Sequence, residues 1–318
     1  MKARSLEIKD PMGKLPNLKT PMVIYPTEFG ILPYITPDRL QEYPLYFSVG
    51  DFFDDTLPSS KTVLEYLGLG PRWIFLGPGT DFFNFEDGPG KGGVKIHGRN
   101  STLHILTPMK YQEIINFIQP NGLIQIYSQV PFWASCRQEK LRRLSATDYV
   151  IKSEKYLSFT NYNSKDFLSG LFVQIGELTP ELLETLKGYI TSRPIELPRI
   201  VLFDGHPDDL KKLIEIGFDL FIPTLPNYYT RNGHAFTFPL DAENTNFDSI
   251  SIDLRSMEYE HDQKPIVEGC NCTLCKNHSR SYIHHLLNVH EMLADTLLNE
   301  HNLKHYQRYI EIIRSTIG

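Results

Sequence analysis

Alternation between strand-like and helix-like segments constrains the fold of this chain more than any other feature of its sequence. Short apolar runs of the kind that form buried strands occupy residues 171–175, 199–203 and 218–223. Between them, Thr179 and His206 each precede a proline and then a stretch in which apolar residues recur at helical spacing. Because parallel strands need crossover connections, the pattern predicts a parallel α/β sheet.

The number of such units favours a closed barrel. The alternation begins near residue 95, where apolar runs at 102–106 and 123–130 flank a helical stretch that starts at Thr107. A chain of 318 residues has room for eight units, so we predict a (β/α)8 barrel, with a doubly wound open sheet as the alternative. The first ninety residues contain only short apolar runs between prolines and glycines, and we assign no individual strands there.

A change of composition predicts a second unit at the C-terminus. Residues 241–264 are polar and acidic, so we place the barrel in residues 1–262 and a separate module in residues 263–318. Residues 279–317 have helical periodicity and predict a long terminal helix, broken near Asn302.

Charge and composition exclude several classes of protein. The formal net charge is −6, with 41% hydrophobic and 22% charged residues, which is typical of a globular protein and not of a polybasic one. No apolar run approaches the roughly 20 residues that span a bilayer. The amino-terminal residues lack the apolar core of a secretory signal, so we expect a cytoplasmic protein.

Three of the four cysteines form the strongest local motif, Cys270-x-Cys272-x2-Cys275. Three thiolates at this spacing can converge on one tetrahedral cation, and thiolate ligands favour zinc over magnesium or calcium. Six of the eleven histidines follow Cys275 and could supply a fourth ligand; they are His278, His284, His285, His290, His301 and His305. A Cys3His set is a closed site, which predicts structural zinc.

The sequence from Cys270 onward resembles the zinc-binding end of the tRNA-guanine transglycosylase family. That family has C-x-C-x2-C, then 25 residues and a histidine followed by asparagine, and here residues 276–300 separate Cys275 from His301-Asn302. The resemblance implies that His301 is the fourth ligand of one zinc ion. It continues upstream through residues 206–238 and, more weakly, to about residue 95, which implies a TIM-like barrel.

The same resemblance aligns the family's catalytic positions with residues that lack their chemistry. The family's nucleophile is an aspartate that attacks the ribose when guanine leaves tRNA, and it corresponds to Ile222, after the retained Asp219-Leu220-Phe221. An isoleucine has no lone pair with which to form a covalent intermediate. Asn227-Tyr228 stands where the family has Thr-Arg.

Other family motifs are also altered. The loop that carries the general base corresponds to Gly77-Pro78-Gly79, and the motif that reads the base corresponds to residues 127–129. Gln174 matches a glutamine that contacts the base. Asp81 and Asp204 remain nearby in the sequence, but an acid out of register does not by itself reach the ribose.

A retained zinc motif with missing catalytic acids is similar to the family's non-catalytic subgroup. The resemblance implies a heterodimer with a catalytic subunit that exchanges guanine for queuine at the wobble position of the aspartate, asparagine, histidine and tyrosine tRNAs. It also implies a cytoplasmic location, with peripheral association at the mitochondrial outer membrane. A homodimer is the corresponding expectation for the isolated chain.

Basic residues are candidates for tRNA contact. Lys276 and Arg280 flank the cysteine motif, and Arg142 and Arg143 belong to a second basic cluster. Phosphate contacts supply affinity without reading bases, which suits an auxiliary role. A solvated helix face is the alternative interpretation of residues 137–143.

The predicted partner surface is the zinc module together with apolar residues of the terminal helix. These residues are Leu286, Leu287, Met292 and Leu293. Each could instead pack on this chain's own barrel.

Two other functions remain open. The chain could be an active transglycosylase in which Asp219 or Asp204 replaces the nucleophile, which predicts guanine exchange by the chain alone. It could also be a stand-alone zinc-containing RNA-binding protein, which predicts a stable monomer with salt-dependent tRNA affinity.

Overall fold

The computed structural model describes residues 3–37, 43–53, 61–79, 94–98, 102–126, 153–160, 169–241, 247 and 249–317. Its strands are β1 (Glu7–Ile8), β2 (Leu18–Lys19), β3 (Met22–Val23), β4 (Tyr25–Pro26), β5 (Leu45–Ser48), β6 (Ile74–Gly77), β7 (Val94–His97), β8 (Leu103–Leu106), β9 (Gly122–Ile124), β10 (Leu157–Thr160), β11 (Gly170–Gln174), β12 (Arg199–Phe203), β13 (Leu220–Pro223), β14 (His234–Phe236) and β15 (Ser251–Asp253). Its α-helices are α1 (Val63–Leu67), α2 (Pro108–Ile118), α3 (Pro180–Thr191), α4 (Pro207–Glu215), α5 (Leu225–Arg231), α6 (Thr273–Asn277), α7 (Arg280–Asn288) and α8 (Met292–Ile317).

The main sheet closes on itself through two short strands that share one position. β3 pairs with β13 and β4 pairs with β5, with Ile24 N donating to Phe221 O at 2.7 Å and Tyr25 N to Pro44 O at 2.9 Å. From β5 the order continues β6-β9-β10-β11-β12-β13, and every pair is parallel. Eight strand positions therefore form a closed barrel, which confirms the (β/α)8 prediction and excludes the open sheet.

Some strands lie in a different place from the one that the sequence pattern predicts. Residues 103–106 do form a strand, but β8 pairs antiparallel with β7 in a separate hairpin, with Leu103 and Ile105 exposed. The unassigned apolar runs near residues 22 and 74 are barrel strands. An apolar run of four residues fits a barrel strand and a surface hairpin equally well, so periodicity could not separate them.

Large apolar side chains fill the inside of the barrel. Tyr46, Phe75, Phe159 and Phe172 are at most 1% exposed and pack with aliphatic residues from the neighbouring strands. A second apolar cluster lies between the outside of the barrel and the helices. The barrel is therefore a packed core and not a pore, as is usual for this fold.

The helix starts predicted from the sequence are confirmed. Thr107 and Thr179 accept from the backbone of Lys110 and Leu182, and the His206 side chain accepts from Asp208 N. Each of these helices has proline in its first turn, where no backbone N–H is needed. No described helix is long and apolar enough to cross a bilayer.

The terminal helical region breaks earlier than predicted. α7 ends at Asn288 and α8 begins at Met292, with His290 between them at φ 57°. Asn302 lies inside α8, where its amide makes buried hydrogen bonds that compensate for its low helix propensity. These tertiary hydrogen bonds therefore keep Asn302 inside the helix, although the sequence predicts a helix break there.

The amino-terminal end of the barrel is covered by residues 3–20. β1 and β2 pair antiparallel, and Trp73 Nε1 donates to Pro16 O at 2.9 Å. Arg4 donates to both carboxylate oxygens of Asp219, at 2.9 and 2.5 Å, and Arg199 N donates to the same carboxylate. The Asp219 side chain is fully buried, so this ion pair fixes the N-terminal segment to β13.

Replacing Arg4 should weaken the fold. In Arg4→Leu, the buried Asp219 carboxylate loses its charged partner, and we expect the free energy of unfolding to fall by about 3 kcal/mol. Urea denaturation followed by circular dichroism measures this change. Lys9→Ala, on an exposed side chain in the same segment, is the control and should change stability by less than about 0.5 kcal/mol. Equal midpoints for the two variants would contradict the assigned role of the pair.

Candidate metal centre and barrel mouth

Three cysteines are brought together by the first turn of α6. Cys272 is the N-cap of that helix, and its sulfur accepts a hydrogen bond from Cys275 N at 3.3 Å. This bond bends the chain so that Cys270, two residues before the cap, faces the same point. The sequence motif thus forms a compact knuckle because one thiol caps the helix on which the third is carried.

His301 completes the cluster from α8. Its Nδ1 lies 3.9 Å from Cys270 Sγ and 3.4 Å from the sulfurs of Cys272 and Cys275. The four candidate ligand atoms all lie within 4.8 Å of one another. Tetrahedral coordination with bonds of about 2.0–2.3 Å separates ligand atoms by a little under about 4 Å, so the four residues are positioned to bind one metal ion.

The second ring nitrogen of His301, Nε2, is held by a hydrogen bond to the backbone. Its Nε2 donates to Phe236 O at 2.9 Å, which turns Nδ1 towards the sulfurs. Asn302 holds the same strand, since Oδ1 accepts from Phe236 N at 2.8 Å and Nδ2 donates to His234 O at 3.0 Å. The ligand and the strand that orients it are therefore fixed by adjacent residues of α8.

Proton affinities in the cluster favour a bound cation. Hydrogen bonds from Cys272 and then Cys275 lower the pKa of Cys270, whereas hydrogen bonds with Cys270 and then Cys275, together with burial, raise the pKa of Cys272. Burial lowers the pKa of His301, but contacts with Cys270 and Cys275 outweigh it and raise the pKa to about 9. The cluster thus stabilises positive charge on the imidazole, which a metal ion would replace.

The other C-terminal histidines have different surroundings. His284 Nδ1 lies 2.9 Å from Leu254 O and its Nε2 lies 2.8 Å from Asn288 Nδ2, so both ring nitrogens make hydrogen bonds within the chain. Burial lowers the pKa of His305 to about 4, so its ring is neutral near pH 7, and its Nε2 donates to Phe238 O. His285 and His290 are exposed, and His278 stacks on Tyr282.

The module around the cluster is broader than its sequence boundary suggested. Its apolar core combines residues of α6, α7 and α8 with Ala235 and Leu254 from the β14–β15 region. The division at residue 262 stays a prediction, and the structure adds the β14–β15 hairpin to the elements that pack on the knuckle.

The residue that the family resemblance aligns with the nucleophile lies at the carboxyl end of the barrel. Ile222, near the end of β13, is fully buried inside the barrel beside its register partner Leu202. The carboxyl ends of the strands are where barrel enzymes place their chemistry. In this chain an aliphatic side chain occupies that position.

The loop that corresponds to the family's general base is covered. The Tyr46 hydroxyl lies 3.3 Å from both the backbone N and O of Gly79. A Cβ at Gly77 would lie only 2.3 Å from that hydroxyl, so glycine permits the tyrosine to cross here. Gln174, at the end of β11, has a buried Nε2 without a hydrogen-bond partner among the described residues.

The structure separates the two candidate replacement acids. Asp219 precedes β13 and lies at the amino-terminal end of the barrel, where Arg4 binds it, so it cannot act at the mouth. Asp204 directly follows β12 at the mouth, half-buried, with Oδ1 accepting from His206 N. Asp81 and residues 127–129 lie outside the described residues.

The predicted tRNA contacts fall into three groups. Lys276 is exposed on α6. The Arg280 guanidinium already donates to Pro265 O, Asp262 Oδ2 and Ile266 O, so it holds the preceding loop. Arg142 and Arg143 lie outside the described residues, and contact with tRNA stays a prediction for all four.

The four apolar residues predicted to contact a partner fall into a buried pair and an exposed pair. Leu286 and Leu287 are 7% and 6% exposed and pack within the zinc module, which is the alternative interpretation of these two. Met292 and Leu293 are 79% and 42% exposed at the start of α8, next to Val289 at 51%. Only the second pair forms an apolar surface free for a partner.

These features define a closed (β/α)8 barrel with a Cys3His cluster that is positioned to bind a metal ion and is carried partly by the terminal helix. The sequence matches the queuine tRNA-ribosyltransferase family over residues 136–318, more than half of its length, and the chain belongs to that family.

The similar members of the family have two different protein names. An orangutan (Pongo abelii) queuine tRNA-ribosyltransferase accessory subunit 2 is 31% identical over 199 residues, which cover 52% of this chain and 48% of the relative. The human protein of the same name is 32% identical over 166 residues, 42% of this chain and 40% of the relative. A queuine tRNA-ribosyltransferase of Azotobacter vinelandii is 34% identical over 145 residues, 46% and 36% respectively. The matches thus span less than half the length of these relatives.

Loss of one thiol should release the metal and loosen α8. Cys272→Ser should lower the zinc content measured by inductively coupled plasma mass spectrometry, because serine does not replace a thiolate ligand. Hydrogen exchange should then increase at residues 234–238 and in the first half of α8. Cys136→Ser is the matched control and should retain full zinc. Full zinc content in Cys272→Ser would overturn the ligand assignment.

Proposed function

We propose that this chain is the non-catalytic subunit of a heterodimeric queuine tRNA-ribosyltransferase, equivalent to accessory subunit 2. Its partner would be the catalytic subunit, which exchanges guanine for queuine at the wobble position of the aspartate, asparagine, histidine and tyrosine tRNAs. The observation that carries the proposal is Ile222, fully buried at the nucleophile position.

The side chains at the barrel mouth support a subunit without catalytic activity. Covalent exchange needs a carboxylate that attacks the ribose, and the side chain of Ile222 has no atom that can do so. Tyr46 covers the Gly77–Gly79 loop, where a general base would be needed. Restoring one acid would therefore leave the other catalytic requirements unmet.

The proposed metal is one structural zinc ion bound by Cys270, Cys272, Cys275 and His301. The donor set supports zinc because soft thiolates with one imidazole form its usual closed site, with no open position for substrate. When bound, the ion would supply cross-linking and no reaction chemistry. It would fix α8 to the knuckle at His301.

The proposed partner surface is the exposed apolar patch formed by Val289, at the end of α7, and by Met292 and Leu293, at the start of α8. Fully burying an exposed apolar side chain is favourable by roughly 1.5–3 kcal/mol, and these three partly exposed side chains would each contribute a fraction of that on association. In the absence of the catalytic subunit the same surface would support a homodimer. Lys276, exposed nearby in sequence on α6, would add a tRNA phosphate contact.

The proposed location is the cytoplasm, with peripheral association at the mitochondrial outer membrane. This part of the proposal depends on the family resemblance alone.

Asp204 supports a second candidate function, an active transglycosylase with a relocated nucleophile. It is the one acid named above that the structure puts at the barrel mouth. The two candidates differ in one measurable property, which is whether the chain alone exchanges guanine in tRNA.

Incorporation of labelled guanine into tRNA distinguishes the two candidates. We expect activity only when this chain and the catalytic subunit are mixed, and none from the chain alone or from Ile222→Asp alone. Activity of the chain alone that is lost in Asp204→Asn would instead establish the second candidate. Salt-dependent tRNA binding by a monomer that does not stimulate the catalytic subunit would support the stand-alone RNA-binding alternative.

A charged substitution on the proposed partner surface should prevent assembly. Met292→Glu with Leu293→Glu should weaken binding to the catalytic subunit at least about tenfold, because two apolar contacts are replaced by desolvated charges. Isothermal titration calorimetry measures the affinity. Met109→Glu, on a methionine that is 81% exposed on α2, is the control and should bind normally. Unchanged affinity in the double variant would place the interface elsewhere.

A further inference from the structure

A strained turn lies in the loop that follows β4 at the barrel mouth. Ile35 N donates to Leu32 O at 3.3 Å, which closes a turn of residues 32–35. Pro33 is its second residue, and Tyr34, its third, has φ 60°. Proline followed by a residue with positive φ is the type II turn, whose third position normally takes glycine or asparagine because other side chains are strained there. A tyrosine keeps this conformation only where other contacts hold it.

A contact from α8 holds this turn. Asn299 Nδ2 donates to Pro33 O, the carbonyl oxygen of the peptide that joins Pro33 to Tyr34. Type I and type II turns differ in the orientation of this peptide, so a donor on one side of it selects between them. In a type I turn Tyr34 would have an unstrained negative φ, but the carbonyl would point away from Asn299. The hydrogen bond from Asn299 therefore favours the strained form.

Asn299 belongs to a path of buried hydrogen bonds that begins at the cysteine cluster. Its Oδ1 lies 3.4 Å from Thr230 Oγ1 on α5, and that hydroxyl oxygen accepts from Asn302 Nδ2 at 3.0 Å. Asn302 Oδ1 accepts from Phe236 N, and Phe236 O accepts from His301 Nε2. The four side chains of this path are fully buried. One hydrogen-bonded path therefore joins the candidate metal ligand to the turn.

α8 links the two ends of this path. It carries His301, Asn302 and Asn299, so the position of one helix sets three of the four side chains. A buried amide that loses its partner is costly, because no water replaces the lost hydrogen bond. We therefore expect α8 to be held most firmly when His301 is bound at the cluster and Asn299 is bound to the turn.

We propose that metal binding at the Cys3His cluster holds the turn of residues 32–35 in its strained form, with Asn302, Thr230 and Asn299 as positioning residues. The inference rests on the proposed zinc ion and is independent of the proposed role in base exchange. Because coupling between two sites is reciprocal, a turn that adopts the strained form more readily should strengthen metal binding. The metal centre and the barrel mouth are thus coupled sites.

Zinc affinities of two turn variants test this coupling. In Tyr34→Gly the positive φ carries no strain, so we expect the full chain to bind zinc at least about fivefold more tightly. Tyr34→Ala is the matched control, because alanine removes the same ring but keeps the strain, and its affinity should equal that of the wild type. Tyr34 is 39% exposed, so both variants should remain folded. Competition with a chromophoric zinc chelator measures the dissociation constants.

Cutting the path at the turn should have the opposite effect. Asn299→Leu keeps the approximate size of the side chain but loses the donor to Pro33 O, so zinc should bind at least about fivefold more weakly. Thr296→Val, on the same helix, removes a hydroxyl that donates to Met292 O and should leave the affinity unchanged. The tyrosine pair keeps the test decisive if Asn299→Leu does not fold.

The Tyr34 amide reports on the turn directly, because it belongs to the peptide that differs between the two turn types. In protein with isotope-labelled tyrosine, its nuclear magnetic resonance shift should change when zinc is removed from the wild type, but not in Asn299→Leu. Equal affinities of Tyr34→Gly and Tyr34→Ala, equal weakening in Thr296→Val, or a Tyr34 signal that does not respond to zinc would overturn the coupling and leave the metal assignment intact. A wild-type chain that binds no zinc would overturn both.

Discussion

Closure of the barrel depends on the five residues from Met22 to Pro26. Two-residue strands at either end of this segment pair with different neighbours, so a few backbone hydrogen bonds join the first and last strands. Such a short strand has little stability of its own, and packing from outside must hold it in register. Other parts of the chain must therefore supply this packing.

α8 supplies the packing. The Tyr25 hydroxyl lies 3.3 Å from Leu303 O on α8, and Arg314 donates through Nε and Nη2 to Pro21 O at 2.9 and 2.6 Å. The same helix carries His301 into the cysteine knuckle. A metal ion bound there would therefore fix one end of the helix that supports the closing strand, which links the metal centre to the integrity of the barrel.

Apolar packing in the barrel interior reaches the carboxyl end of β13 at Ile222. Ile222 and Tyr46 complete the packing of the barrel interior, where an active site would need polar groups and space. Buried carboxylates are costly unless they are paired, and the buried Asp219 at the other end of the barrel is paired with Arg4. The aliphatic side chain of Ile222 packs in the barrel interior and needs no such partner.

The sequence by itself determined the alternation of strands and helices after residue 170, the caps of three helices and the three cysteine ligand candidates, because apolar periodicity, cap residues and cysteine spacing are local signals. Family resemblance was needed to choose His301 among six histidines. Only the tertiary structure decided that β8 lies outside the barrel, that Asn302 continues α8, and that Asp219 and Asp204 lie at opposite ends. These outcomes depend on contacts between residues far apart in the chain: a short apolar run, an asparagine or an aspartate has the same local pattern in each alternative, and only its distant partners select one.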